Sequence, residues 1–172
     1  QQRVLLRYKY YEMKNNAQDF SSLAPEKFKG LKETVGWCAK AVDSLADRLQ
    51  FDEFQNDEFN LSEIFLSNNQ DILIDSAVLS ALISACSFVY IREDNGYPRL
   101  QVIDGSNATG IIDPVTNLLT EGYAVLERDS MGVVKTEAYF MAGMTEIYSH
   151  GVLVQRIPNA APYALLVPII YR

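Results

Sequence analysis

One histidine and two cysteines in 172 residues limit the chemistry open to this chain. Catalysis near neutral pH needs groups that exchange protons, a metal, or an activated nucleophile. His150 falls in an expected hairpin turn, where a surface role is the ordinary one. Neither a histidine metal site nor a Ser-His-Asp triad can be assembled from it without distant partners that no motif marks. Cys38 and Cys86 are far apart and neither belongs to a C-x-x-C pair. Both lie in apolar helical patterns and are expected as buried, reduced thiols, because a free cysteine packs as a small hydrophobe. An intracellular compartment is a simpler reading than a disulfide between them.

Basic runs are equally scarce. Lys and Arg total 15 against 22 Asp and Glu, for a net charge of −7. A module that grips DNA would carry a basic patch and a high pI, and no run of Lys and Arg here is long enough to neutralise several phosphates. An acidic wall past which DNA slides is compatible with this charge, since repulsion keeps a polyanion from sticking. Residues 1–3 are followed by polar and aromatic residues rather than the apolar core of a secretory signal. The longest apolar stretch, 72–91, is broken by Asp75, Ser76, Ser80, Ser84 and Ser87, which suits a buried helix running into a strand better than a membrane span.

What is present is the composition of a folded domain. Apolar residues make up 48% and charged residues 22%, which is ordinary for a globular protein and argues against disorder. A chain of this length buries about 70% of its unfolded surface, so no disulfide or metal staple is required. The chain does not begin with Met and stops in an apolar, strand-like run at 165–172, which reads as a piece truncated from a longer protein.

The pattern predicts helices first and strands second. Residues 3–16 suit a Tyr-rich helix, Ser21 to Pro25 mark a break, and Pro25 suits the first turn of a short helix. Leu31, Val35, Cys38, Val42, Leu45 and Leu49 are spaced 4, 3, 4, 3, 4 and form one apolar seam, with Lys32, Glu33, Lys40, Asp43, Asp47 and Arg48 on the other face. The seam must pack on something, in this chain or a neighbouring one. Residues 51–59 read as a loop or short strand, and Asn60 with Glu63 resembles a capping box. Asn69 or Asp71 opens a helix over 72–86 that is apolar nearly all round and is expected at the centre of the fold. Strands follow at 88–91, 99–103, 108–112, 122–128, 133–140, 145–149, 152–157 and 167–171, with Asn95-Gly96 and His150-Gly151 as hairpin loops. The fold class is α+β, N-terminal helices followed by an antiparallel β meander, with a helical part over 1–86 and a β-rich part over 87–172 in one compact unit.

Three groups of residues could carry chemistry. Asp104-Gly105-Ser106-Asn107 with Asp113 offers hard oxygen ligands for a cation, yet lacks the alternating spacing of a calcium loop, and turn formation explains these residues equally well. Gly105 and Gly110 are not followed by Gly-Lys-Ser/Thr and make no phosphate loop. Tyr90, Tyr97, Tyr123, Tyr139 and Tyr148 could stack nucleic-acid bases, although a sheet core or protein interface is the commoner use. No catalytic, cofactor-binding or metal residue is assigned, and no cofactor.

Four stretches, taken together, resemble the portal proteins of long-tailed phages. They are Val35-Gly36-Trp37-Cys38-Ala39-Lys40-Ala41-Val42-Asp43-Ser44-Leu45-Ala46-Asp47-Arg48-Leu49, Ser84-Ala85-Cys86-Ser87-Phe88-Val89-Tyr90-Ile91, Val102-Ile103-Asp104-Gly105-Ser106-Asn107-Ala108-Thr109-Gly110-Ile111-Ile112-Asp113-Pro114, and Val167-Pro168-Ile169-Ile170-Tyr171-Arg172. The resemblance implies an N-terminal wing-region fragment of a homo-oligomeric ring, commonly of twelve subunits, at one capsid vertex of the virion. The ring would be assembled in the cytoplasm of a bacterial host. It implies partners among terminase, capsid and tail-connector proteins, DNA passing through the channel without sequence-specific binding, no membrane partner and no active site, the ATPase belonging to the terminase. Stem, clip and crown would follow the region present here. Another phage or prophage structural module, such as a head-completion or tail protein, is the alternative, followed by an enzyme domain with a metal near Asp104 and Asp113.

Overall fold

A computed structural model describes residues 2–14 and 36–171. The expected break at Ser21 to Pro25, and Leu31 and Val35 of the seam, lie outside them. Within them the chain is α+β, four helices followed by eight antiparallel strands. The helices are α1 (Gln2–Tyr11), α2 (Trp37–Ala46), α3 (Leu61–Ser67) and α4 (Gln70–Ser84). The strands are β1 (Cys86–Asp94), β2 (Tyr97–Asp104), β3 (Ala108–Ile112), β4 (Leu119–Arg128), β5 (Val134–Met141), β6 (Met144–Ser149), β7 (Val152–Pro158) and β8 (Leu166–Ile170).

The antiparallel meander is present, and the strands form two sheets. Strands β3-β4-β5-β6-β7 make a five-stranded meander in chain order, and β2-β1-β8 make a second sheet of three. Two-residue loops close three hairpins. Asn95 and Gly96 both take positive φ between Asp94 and its partner Tyr97, and His150 and Gly151 do so between Ser149 and Val152. This backbone matches the twist of the flanking strands, which is why Asn-Gly is so strong a hairpin signal. Ala142 and Gly143 close the hairpin between Met141 and Met144.

Helix α4 lies at the centre, packing on β1, β2 and β8 and on the other helices. Its buried face is Leu73, Ala77, Ser80, Ala81 and Ser84, one helical stripe, with Ile83 beside it. The helix is not buried all round: Ile72 is 68% exposed. It ends at Ser84, two residues earlier than the pattern suggests, because Ala85 turns left-handed at φ 73° and the chain enters β1 at once. The corner is tied by the Ser84 hydroxyl donating to Ser80 O at 2.7 Å and by the buried Ser87 hydroxyl donating to Ala77 O at 2.7 Å. Gly105 presses on this corner. A Cβ there would lie 2.5 Å from Cys86 O and 2.6 Å from Ser84 Oγ, so the β2–β3 loop needs glycine to pass.

Several local expectations are corrected. Helix α1 stops at Tyr11, not at 16, because Met13 adopts φ 56° and closes a Schellman motif: Lys14 N–H donates to Lys9 O and Met13 N–H to Tyr10 O. Asn60 makes no capping box. The Asp57 carboxylate accepts from the Leu61 and Ser62 amides at 2.7 and 2.8 Å instead, while Asn60 is left-handed. Residues 51–59 are loop, and Phe51, Phe54 and Phe65 cluster there with ring centroids 4.8–6.0 Å apart. On α2 the half-buried face is Ala39, Val42, Asp43 and Ala46, rotated from the expected seam. Small alanines suit close packing, and Asp43 accepts a hydrogen bond from the Tyr11 hydroxyl at 2.8 Å instead of facing solvent. Cys38, Leu45 and Leu49 remain exposed, so Cys38 is not a buried thiol. Cys86 is half-buried and lies in β1, not in a helix, and both thiols are free.

The main core lies between the sheets. Phe88, Tyr90 and Ile103 from the smaller sheet meet Leu119, Ala124, Ala138 and Phe140 from the larger one, with Ala164 and Leu166 closing the cluster. The rings of Tyr90 and Phe140 meet edge-to-face at 4.9 Å, and Phe140 has no exposed surface. Replacing Phe140 with Ala is expected to destabilise the fold by about 3–5 kcal/mol, lost transfer energy plus a cavity. Urea unfolding followed by circular dichroism measures this, and a loss under about 1 kcal/mol would contradict the inter-sheet packing.

Candidate functional site

The residues singled out from sequence scatter. Asp104 is held inside its own turn. One carboxylate oxygen accepts from the Ser106 amide at 2.8 Å and from the Ser106 hydroxyl, and the other accepts from Asn107 Nδ2 at 2.8 Å. Asp113 does the same in the β3–β4 loop, accepting from the Val115 amide at 2.8 Å. Among the described residues no three His, Cys, Asp or Glu side chains gather as a metal cluster would. His150 is exposed in its hairpin loop. Tyr90 is buried in the core, Tyr97 is exposed beside the first hairpin loop, and Tyr123, Tyr139 and Tyr148 stand half-exposed on the larger sheet.

Those last three tyrosines belong to a pattern that composition alone does not reveal. Glu-x-Tyr occurs on three successive strands, as Glu121-Gly122-Tyr123, Glu137-Ala138-Tyr139 and Glu146-Ile147-Tyr148. Period-two geometry puts each acid and phenol on one face, while Gly122, Ala138 and Ile147 between them face the core. The register sets Tyr123 opposite Tyr139, Tyr139 opposite Glu146, and Glu137 opposite Tyr148. The phenols then donate to carboxylates across and along the strands: Tyr123 to Glu137, Tyr139 to Glu121, and Tyr148 to Glu146 at 2.7 Å. Arg156 of β7 joins Glu146 at 2.8 Å. The outer face of the sheet is thus a board of alternating acids and phenols, legible in the sequence as a repeated tripeptide.

Electrostatics follow the geometry. Burial, then the bonded carboxylate of Glu137, pushes the Tyr123 phenol up to about 12. The Glu121 and Glu146 carboxylates push Tyr139 and Tyr148 up in the same way, and bonds from Tyr148 and Arg156 hold Glu146 below its usual value.

The edges of the two sheets differ. Strand β2 is shielded: Asn68, at the end of α3, donates to Pro98 O at 3.0 Å and accepts from the Leu100 amide at 2.9 Å, as a strand residue would. Arg99 adds a bond to Ser67 O at 2.9 Å. Strand β7 has no such cover among the described residues. All seven of its residues are exposed, with Val152 at 65% and Val154 at 59%, and Leu153 and Ile157 beside them. At the opposite edge of the same sheet, β3 exposes four of its five residues, Ile111 and Ile112 included. An apolar, unpaired edge is a template for adding another strand, and folded proteins ordinarily blunt it. The signal for this in sequence is the run Val152-Leu153-Val154, apolar on both faces of a strand where one-sided burial would alternate.

Two of the clefts adjoin the sheets. One of about 700 Å³ opens between the sheets and has neither His nor Cys on its walls. The other, about 360 Å³, lies between Val4, Cys86, Pro168 and the loop 105–110. No family model matches this chain, and no curated protein is similar to it.

The phenol–carboxylate pairs generate a pH dependence. A phenol raised above its ordinary value of 10 stabilises the fold in full below pH 10 and loses that contribution as pH rises through 12. Ultraviolet titration is therefore expected to show Tyr11 and Tyr123 ionising near pH 12, with their contribution to thermal stability lost only above pH 10. Ionisation of all ten tyrosines in one step near pH 10, in protein that is still folded, would show that the pairs do not form.

Proposed function

We propose that the chain is the wing-region part of a phage or prophage portal subunit, a structural and non-catalytic component of a homo-oligomeric ring at a capsid vertex. DNA would pass through that ring during packaging and release, without sequence-specific binding. Terminase, capsid and tail-connector proteins would be its partners, in a virion assembled in the bacterial cytoplasm. The resemblance of four sequence stretches supplies the family. The observation that carries the assembly role is the exposed apolar edge strand β7, set at one end of a sheet whose other edge, β3, is also largely exposed.

A ring requires a heterologous contact, in which one patch of a subunit meets a different patch of the next and the rotation closes. Opposite edges of one sheet are such a pair. Main-chain hydrogen bonds supply affinity in strand addition, and side chains on alternate positions supply specificity. The acidic balance suits the same reading, since a wall of like charge lets the duplex slide.

Negative-stain electron microscopy of the full-length gene product is expected to show rings with a central hole wide enough for a duplex. Small monodisperse particles at micromolar concentration would overturn the reading. The double substitution Val152→Glu with Val154→Lys is expected to abolish rings while changing subunit stability by no more than about 0.5 kcal/mol, as for other exposed sites. Rings that persist would place the contact elsewhere.

A further inference from the structure

We infer that α1 is a detachable strap over the corner between α4 and β1, held by side-chain hydrogen bonds to α4 and α2, whose release opens the cleft lined by Cys86.

Helix α1 has no fully buried residue. It rests on the rest of the fold through Val4, Tyr8 and Tyr11, half-buried at one helical spacing, while Leu5, Leu6 and Tyr10 point outward and are nearly half exposed. Among the described residues its attachment is therefore largely polar. The Arg7 guanidinium donates to Ser84 O at 3.0 Å, the Tyr8 hydroxyl meets Ser80 Oγ at 2.9 Å, and the Tyr11 hydroxyl donates to Asp43 Oδ1 at 2.8 Å. Arg7 thus serves one of the orphan carbonyls at the α4 C-terminus, where a cation also meets the negative end of the helix dipole. Few buried apolar contacts and bonds near solvent are the marks of a segment that opens far more often than the whole fold unfolds.

The cleft beneath has one movable wall. Val4 forms that wall, against Cys86, Pro168, Phe88, the β2–β3 loop with the start of β3, and Tyr123 and Val125 of β4. Phe88 is fixed in the inter-sheet core, and the loop is wedged at Gly105 against Cys86 O. Helix α1 contributes no residue to that core, so among the described residues it can leave without disturbing it. Burial pushes the Cys86 thiol up and the nearby Arg7 charge draws it back, as expected if α1 closes over the sulfur.

The two cysteines allow a direct test, because Cys38 is exposed whatever α1 does and serves as an internal standard. The reduced protein is labelled with a maleimide, and the rate at each cysteine is read by peptide mass spectrometry. Tyr8→Phe removes one tie without changing charge and is expected to speed Cys86 labelling about fivefold, the effect of one ordinary hydrogen bond. Adding Arg7→Ala is expected to raise it further, with Cys38 unchanged and the α4 amides keeping their hydrogen-exchange protection. Cys86 labelling that does not respond in either variant would overturn the inference. So would a rise matched by equal loss of α4 protection, since α1 would then belong to the cooperative core.

Discussion

The contact between the two sheets is the constraint on which the rest of the structure depends. Among the described residues the helices pack mainly on the smaller sheet, and the five-stranded meander buries its apolar face by closing on β1 and β2. The Tyr90–Phe140 contact and the fully buried Leu119, Ala124, Ala138 and Leu166 are that closure. Its consequence appears on the opposite side. Every residue of β4, β5 and β6 that does not face the core must face water among the described residues, and the Glu-x-Tyr alternation is the answer to that demand.

The same constraint explains which expectations held and which slipped. The order of elements, the central helix and the Asn95-Gly96 and His150-Gly151 hairpins were legible because each rests on local physics: helical or period-two patterning, and loop residues that tolerate positive φ. The division into two sheets was not legible. It depends on β8 returning to pair with β1, from Cys86–Ile170 to Tyr90–Leu166, a contact across some eighty residues with no local mark. The rotated face of α2 has a similar origin. The spacing of large apolar residues points to Cys38, Leu45 and Leu49 as the seam, but the face of α2 that packs carries the small Ala39 and Ala46 and the Asp43 that binds Tyr11. At α1 and α3 the end-determining residues were Met13 and Asp57, both at positions where propensity favours other residues or other neighbours. The candidate surface was half legible: the tripeptide repeat and the two-sided apolar run Val152-Leu153-Val154 lie open in the sequence, whereas the place of β7 at the end of the sheet does not.

In the proposed assembly, the different chemistry of the edges and faces of the larger sheet would decide the direction in which copies associate. Stacking two outer faces would take Glu121, Glu137 and Glu146 of each copy out of water against their own like, with Arg156 as the bonded counter-charge. Desolvating paired polar groups against the same charge is costly, and a net charge of −7 adds repulsion. Addition at an edge leaves those pairs hydrated and instead covers Val152, Val154 and Ile157, which gain by leaving water. Growth in the plane of the sheet is thus favoured over growth normal to it. Because strands twist by a fixed hand, each copy added at an edge turns relative to the last. A repeated in-plane contact with a constant turn gives either an open spiral or a closed ring, and closure depends on whether the turn divides a full circle. Register shifts at Ile111/Ile112, Val125/Glu127, Glu127/Arg128 and Ile147/Tyr148 interrupt the ladders of this sheet, and bulges of that kind, which raise local twist, would help set that angle.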